Sequence, residues 1–247
     1  MIHFFKQKPL LKELIPTNFI DIHSHLLPGI DDGARNSDDS ISLINQLIHL
    51  GFKKIITTPH IIENVWQNTE VSLATKFEEV APTIAQNCDL ELFHYAAEYM
   101  MDSHFLKRLN NQRLATIKDE YLLVEMSYLQ APIQLYDIIF ELQVAGYIPV
   151  LAHPERYTFF HKDFESYKKL KKNGCSFQLN LLSSVGYYGK EVAKVAETLL
   201  NEQMIDYAGT DVHHERHIKA FQNKVIINSN ATIELQNALD NNHFFIS

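Results

Sequence analysis

Histidine and carboxylate side chains recur in this sequence at the ends of short apolar runs. The first group is Asp21-Ile22-His23-Ser24-His25, and Asp211-Val212-His213 repeats the spacing near the other end of the chain. In an extended chain, residues i and i+2 point to the same side, so each pair can bind one cation. One such pair alone is weak evidence for a metal site, because histidines are also common on protein surfaces.

Carboxylates that end apolar runs are harder to explain without a cation. Glu98 and Glu125 each close a run of apolar residues, and a buried carboxylate without a partner carries a large desolvation penalty. A salt bridge, for instance to Arg156, is one solution. A metal cluster shared with His60 and His153, which follow two other apolar runs, satisfies all these groups together.

Two acidic residues lie in a segment that follows the first histidine pair. Taken alone, Pro28-Gly29-Ile30-Asp31-Asp32-Gly33 indicates an acidic turn. Six or seven residues after His25, however, Asp31 or Asp32 is placed to reach a further ion. The other histidines are predicted to lie on solvated or helical faces: His3, His49, His94, His104, His161, His214, His217 and His243.

The elements that position these residues are apolar runs alternating with amphipathic stretches. The runs predict strands buried on both faces: Phe19–His23, Lys54–Thr58, Glu91–Ala97, Tyr121–Met126, Ile148–Ala152, Ser176–Leu181 and Ile205–Gly209. The stretches predict helices: Asp38–Leu50, Glu70–Ile84, Pro132–Ala145, Phe164–Lys172 and Tyr188–Glu202.

This alternation predicts one α/β domain over residues 1–247, with residues 1–18 as an N-terminal arm. A closed or nearly closed parallel barrel is the first choice, and a doubly wound sheet is the alternative. In both folds the carboxyl ends of the strands meet on one face. The potential ligands all follow or end strands, so we expect them to converge there.

Composition restricts the function classes. The net charge of −8 over 247 residues argues against a nucleic-acid partner. No run approaches the roughly 18 apolar residues of a membrane helix, and Met1–Pro16 lacks a signal peptide, so we expect a cytoplasmic protein without membrane insertion. Cys88 and Cys175 are expected to be reduced. Neither has an arginine six residues downstream, which argues against a cysteine-based phosphatase.

The ordered motifs of this chain resemble those of the PHP (polymerase and histidinol phosphatase) superfamily. They are His23-Ser24-His25, Pro59-His60, Glu98, Glu125, His153-Pro154-Glu155-Arg156-Tyr157 and Asp211-Val212-His213. The stretch 21–33, from Asp-Ile-His-Ser-His to Asp-Asp-Gly, is similar to the bacterial CpsB-type protein-tyrosine phosphatases of capsule and exopolysaccharide assembly. The resemblance extends from about residue 19 to residue 217.

The resemblance implies a distorted (β/α)7 barrel, similar to a TIM barrel, with two or three divalent ions. It assigns the first ion to His23, His25, Glu98 and Asp211, and the second to Glu98, Glu125 and His153. The third ion would be held by Asp32, or by Asp31 if the loop is offset, with His60 and His213.

Catalytic roles also follow from the resemblance. Arg156 matches an arginine that binds the phosphate. Arg216 stands near the place of a second arginine, but its spacing is shortened, so His214 or His217 is an alternative. Asp32 or its neighbour is a candidate proton donor, although metal coordination would lower its pKa. Manganese is the first choice of metal, with iron, zinc or cobalt as alternatives.

The implied activity is metal-dependent hydrolysis of a phosphomonoester. Neighbouring divalent ions acidify a water nucleophile and offset the charge of the phosphoryl group. The implied substrate is the phosphotyrosine-bearing C-terminal tail of a membrane-associated tyrosine kinase that controls polysaccharide synthesis. The alternatives are a small-molecule phosphatase of the histidinol-phosphate type, a metal-dependent nuclease, which the net charge disfavours, and a non-catalytic metal-binding regulatory protein. The sequence leaves the oligomeric state open.

Overall fold

A computed structural model describes residues 8–17 and 19–246 of the chain. The described residues form nine strands: β1 Phe19–Asp21, β2 Phe52–Thr57, β3 His60–Ile61, β4 Leu92–Tyr95, β5 Glu98–Met100, β6 Tyr121–Glu125, β7 Ile148–Ala152, β8 Ser176–Asn180 and β9 Tyr207–Gly209. They form eight α-helices: α1 Ser37–His49, α2 Glu70–Asn87, α3 Phe105–Asn111, α4 Leu135–Val144, α5 Phe164–Lys172, α6 Lys190–Asn201, α7 Glu215–Ala220 and α8 Ser229–Asn241.

The strands form two parallel sheets. One has the order β1-β2-β4, and the other has the order β3-β5-β6-β7-β8-β9. All the strand pairs are parallel, which confirms the predicted α/β class with parallel strands. No helix among the described residues is long and apolar enough to cross a membrane.

Two predicted strands end at breaks, and each is followed by a short strand of the other sheet. The second run, predicted as Lys54–Thr58, forms β2 from Phe52 to Thr57, and β3 begins at His60. The third, predicted as Glu91–Ala97, forms β4, and β5 begins at Glu98, beyond the predicted end. The short strands β3 and β5 were not predicted.

The helix predictions are confirmed for α1, α2, α4, α5 and α6, with shifted ends. α4 begins at Leu135 rather than Pro132, and α6 begins at Lys190 rather than Tyr188. The helices α3, α7 and α8 were not predicted. Of the predicted N-terminal arm, residues 1–7 and 18 lie outside the described residues, while Leu11–Leu14 form a 3-10 turn.

Apolar side chains fill both sides of the strands. Along β6 and β7, Leu123 and Val150 belong to one buried cluster, whereas Leu122 and Leu151 belong to another. The first cluster also contains Ile20 and Phe245. Successive side chains of a strand point to opposite faces. The first cluster therefore lies on one face of the strands, and the second lies on the opposite face, where it packs beneath helices such as α4.

The seam between β1 and β9 joins the two sheets. Beyond the strand ends, Asp211 N donates to His23 O over 2.7 Å, and His25 N donates to Val212 O over 2.9 Å. Nearer the starts of β1 and β9, the buried side chain of Asn242 replaces direct backbone hydrogen bonds between the two strands. Its Nδ2 donates to Ile20 O and Ala208 O over 2.9 and 2.7 Å, and its Oδ1 accepts from Ala208 N over 3.1 Å.

Replacing Asn242 by alanine is therefore expected to destabilise the protein. The substitution leaves the buried backbone groups of Ile20 and Ala208 without partners, and we expect a loss of about 3 kcal/mol in the free energy of unfolding. Urea denaturation measures this loss. Asn237→Ala removes an exposed side chain from α8 and should change the free energy by less than about 0.5 kcal/mol. Equal effects of the two substitutions would show that the seam does not depend on Asn242.

Candidate active site

The predicted ligands lie at the carboxyl ends of strands or in the segments that follow them. His23 and His25 follow β1, Glu125 ends β6, and His153 follows β7. His60 and Glu98 begin the short strands β3 and β5, just beyond the breaks, and Asp211 and His213 follow β9. Asp32 comes from the loop between β1 and α1. Parallel strands bring all these positions to one face of the domain.

The first group consists of His23, His25, Glu98 and Asp211, all of them buried. His23 Nε2 lies 3.2 Å from Glu98 Oε2 and 3.3 Å from Asp211 Oδ1. His25 Nε2 lies 3.4 and 3.3 Å from the same two oxygens. Ligands that share one ion at about 2.1 Å in tetrahedral geometry are about 3.4 Å apart. The donor set therefore fits a single metal ion.

A second group forms around the carboxylates of Glu98 and Glu125. His60 Nδ1 lies 3.1 Å from Glu98 Oε2 and 2.9 Å from Glu125 Oε1. These three buried atoms have no partner in hydrogen-bonding geometry, and such orphaned atoms are costly unless an ion binds them. His153 Nε2 approaches the other oxygen, Glu98 Oε1, at 3.1 Å. The site thus offers both His60 and His153 to this pair of carboxylates.

The third group lies at the rim and includes His25, Asp32, His60 and His213. Asp32 Oδ1 is 3.5 Å from His60 Nε2 and 3.4 Å from His213 Nε2. Because its side chain is 55% exposed, Asp32 is the member that solvent and substrate reach directly. Because His60 belongs to both the second and the third group, the assignment of ligands to individual ions stays a prediction.

The structure separates the roles of the two loop aspartates. Asp31 Oδ2 accepts from His25 Nδ1 over 2.8 Å and from His60 N over 3.1 Å, and its side chain is buried. Asp31 therefore orients His25, and the geometry favours Asp32 as the loop ligand. Gly33 allows this close packing, because a Cβ there would lie 2.1 Å from His25 O.

A second polar residue orients the other histidine of the first pair. His23 Nδ1 donates to Gln178 Oε1 over 2.7 Å, and Gln178 is buried on β8. With Nδ1 engaged, the Nε2 atom of His23 is left to face the carboxylates, which is the usual arrangement for a metal-binding histidine. Gln178 was not predicted, because a lone glutamine in an apolar run carries no ligand signature.

The charges of the cluster balance only when cations are present. Burial by itself raises the pKa of the Glu98 carboxyl, but the charges of His23 and His60 hold it well below its ordinary value. Burial lowers the pKa of His23, yet Glu98 and Asp211 raise it to about 10. The carboxylates therefore require positive charge beside them, and either protons on the histidines or metal ions supply it.

Arg156 is held at the edge of the cluster by two tyrosines and a carboxylate. Its Cζ lies 4.7 Å from the ring centre of Tyr128 and 4.0 Å from that of Tyr188. One guanidinium nitrogen donates to Asp211 Oδ2 over 2.7 Å. Asn180 Nδ2 donates to the same carboxylate oxygen and to Tyr188 OH. Cation–π contacts and the ion pair fix the plane of the guanidinium.

A cavity of about 240 Å³ lies over the cluster. It is lined by Asp32, His60, Tyr128, His153, Arg156, Tyr188, Asp211, His213, His214 and His217. The two tyrosines were not predicted, since no spacing rule places them beside the ligands.

Two basic residues of α7, Arg216 and His217, line different cavities. Arg216 lies exposed on α7 and lines a neighbouring cleft of about 410 Å³ with Arg35 and Asp39. His217 is buried on α7 and lines the cavity over the cluster. Burial and the nearby histidines lower the pKa of His217 to about 3, so it faces the cavity as a neutral ring. The phosphate role of Arg216 stays a prediction.

A fold of parallel strands with clustered ligands at their carboxyl ends defines a class of α/β enzymes that bind metal ions. Within this class, the chain belongs to the CpsB/CapC family of capsular polysaccharide synthesis, whose family model matches residues 19–227. This membership confirms the CpsB-type resemblance.

Individual relatives point the same way. The chain is 28% identical to the tyrosine-protein phosphatase YwqE of Bacillus subtilis, over 79% of this chain and 77% of the relative. It is 26% identical to the tyrosine-protein phosphatase CpsB of Streptococcus pneumoniae, over 79% and 83%.

Solved structures support the fold. One match comes from the crystal structures of YwqE from B. subtilis and CpsB from S. pneumoniae, described as metal-dependent tyrosine phosphatases. It has a TM-score of 0.78 and 25% identity, and covers 92% of this chain and 94% of that one. An amidohydrolase from Mycoplasma synoviae, with a TM-score of 0.53 and 13% identity over 96% and 91%, shares the fold alone.

Replacing Glu98 by glutamine should reduce metal affinity sharply. The carboxylate faces His23, His25, His60 and His153, and the neutral amide cannot offset the charge of an ion. We expect manganese to bind at least about 100-fold more weakly, as measured by isothermal titration calorimetry. Glu79→Gln, on an exposed face of α2, is the matched control. Unchanged manganese affinity in a folded Glu98→Gln protein would exclude the cluster as a metal site.

Proposed function

We propose that this chain is a metal-dependent phosphatase that hydrolyses phosphotyrosine in a protein substrate. The proposal depends on one observation above all, the convergence of His23, Glu98, His153 and Asp211 beside a fixed arginine at an open cavity. Family membership and the activity named for YwqE and CpsB support it.

The residues of the chain divide the task. When bound, divalent ions supply a Lewis acid and acidify a water nucleophile. Arg156 offers guanidinium nitrogens other than the one bound to Asp211 to the phosphoryl oxygens, whose negative charge it stabilises. Tyr128 and Tyr188 keep the guanidinium from swinging away. Holding the guanidinium in advance lowers the cost of orienting it at the moment of reaction.

The phenolate of phosphotyrosine is a good leaving group. A phenolate is stabilised by its ring, so a dedicated proton donor is less essential than for an alkyl phosphate. Asp32, the exposed carboxylate at the rim, is the candidate donor when it is protonated. As a metal ligand it would stay ionised, so the proton donor stays unassigned.

The finer parts of the proposal concern the metal, the partner and the setting. Mixed nitrogen and oxygen ligands suit manganese, our first choice, and also iron, zinc or cobalt. We expect two or three ions. The proposed substrate is the phosphotyrosine-bearing C-terminal tail of a membrane-associated tyrosine kinase. The proposed setting is the cytoplasm, with residues 1–247 forming one domain.

Chelation and thiol alkylation should differ in their effects on turnover. EDTA should abolish hydrolysis of a phosphotyrosine peptide, and added manganese should restore it. Iodoacetamide at pH 8 should leave activity intact, because both cysteines are buried, and burial raises the pKa of the Cys175 thiol to about 12 and also raises the pKa of the Cys88 thiol. Both thiols are then protonated and unreactive. Loss of activity on alkylation, with retention in EDTA, would contradict the proposal.

Arg156→Met should lower kcat/KM for the phosphotyrosine peptide by about 100-fold while manganese content stays near that of the parent. The methionine keeps an unbranched apolar stem but removes the charge that faces the phosphoryl group. Arg216→Met, in the neighbouring cleft, should cost less than about tenfold, and Arg113→Met, at an exposed site, is the control. A larger loss for Arg216 than for Arg156 would reverse their assigned roles.

The same assays distinguish the alternatives. Histidinol phosphate hydrolysed faster than the peptide would indicate a small-molecule phosphatase. Manganese binding without turnover of either substrate would indicate a regulatory protein.

A further inference from the structure

A larger groove lies beside the cavity over the metal cluster. It has a volume of about 700 Å³ and is lined by residues 100–103, 127, 129–134 and 138; we call it the apolar groove. Ser127 and Leu129 line it, and the residue between them, Tyr128, lines the active-site cavity. Met100, which also lines the groove, is in register with Glu125, one of the proposed ligands. The groove therefore lies next to the active-site cavity, and Tyr128 belongs to the segment between the two.

The walls of the groove suit an apolar guest. Leu129 is 90% exposed and Ile133 is fully exposed, and both border the groove, where burial of apolar surface would be favourable. The buried side chains of Met101 and Ile138 also line it. Its lining residues include one charged side chain, Asp102, which accepts from two backbone N–H groups over 2.8 and 3.1 Å.

Polar groups on the rim suit a peptide backbone. Gln130 and Gln134 line the groove, and their side-chain amides provide both donors and acceptors. Exposed apolar surface continues beyond the groove along α4 at Phe140 and Val144, which lie on one face of the helix because they are four residues apart. The exposed apolar surface therefore extends past the groove itself.

We propose that the apolar groove binds a bulky apolar side chain that neighbours the phosphotyrosine in the substrate. The inference rests on the proposed function and adds a substrate preference to it. An extended peptide advances about 3.3–3.6 Å per residue, so a residue one or two positions from the phosphotyrosine passes Tyr128 and reaches Leu129 and Ile133. Pockets for flanking side chains are a common source of specificity in peptide recognition.

The test pairs a groove variant with matched substrates. The double substitution Leu129→Ser and Ile133→Ser removes the apolar lining and leaves the metal ligands, Arg156 and Tyr128 in place. Two phosphotyrosine peptides are compared, one with leucine at the flanking positions and one with serine there. Para-nitrophenyl phosphate, which has no flanking residues, reports on the active site alone. Val71→Ser, an exposed apolar position on α2, is the control variant.

The parent protein should show a KM roughly tenfold lower for the leucine peptide than for the serine peptide. The double variant should lose this difference by a rise in KM, with kcat and para-nitrophenyl phosphate hydrolysis unchanged. Equal KM values for the two peptides in the parent protein would overturn the groove proposal and leave the proposed function standing. Absence of turnover with all three substrates would overturn both.

A second copy of this chain is the rival occupant. Sedimentation equilibrium of the parent and of the double variant distinguishes it. A dimer that dissociates in the double variant, with peptide KM unchanged, would overturn the proposal and assign the groove to self-association. A double variant with unchanged mass and a raised KM for the leucine peptide would support the substrate assignment.

Discussion

Several negatively charged side chains share one small buried region, and the rest of the structure depends on this constraint. Glu98, Glu125 and Asp211 point into it, and three or more histidine rings stand between them. Carboxylates so close repel each other strongly in a low dielectric. Positive charge beside them makes the arrangement stable. Arg156 supplies one permanent cation, which pairs with Asp211, and protonated histidines or bound metal ions supply the rest.

Support for the ligands comes from a layer of ordinary polar residues. Gln178 accepts a hydrogen bond from His23, and Asp31 accepts one from His25. In each case the ring nitrogen is Nδ1, which faces away from Glu98 and Asp211. Arg156 is fixed in a similar way by Tyr188 and by Asp211. Asp211 thus faces the histidines with one oxygen and the arginine with the other. This geometry couples the position of the phosphate-binding charge to that of the proposed metal ligands.

The sequence predicted the class of fold and the convergence of the ligands, because apolar runs followed by histidines or carboxylates report directly on strand ends. It did not predict the short strands that begin at His60 and Glu98, since two or three residues are too few to show a strand period. It also missed Tyr128 and Tyr188, which act through contacts between distant segments. The resemblance favoured Asp32 over Asp31 as the loop ligand, and the buried contacts of Asp31 with His25 and His60 support that preference, which stays a prediction.

The seam between the first and last strands has a consequence for biosynthesis. Asp21 and Thr210, which are hydrogen-bonded across it, are 189 residues apart in the chain. His23 and Asp211, close to this pair in the sequence, complete the first ligand group only when β1 and β9 have met. A nascent chain on the ribosome therefore lacks a complete first ligand group until the segment that contains Asp211 has emerged.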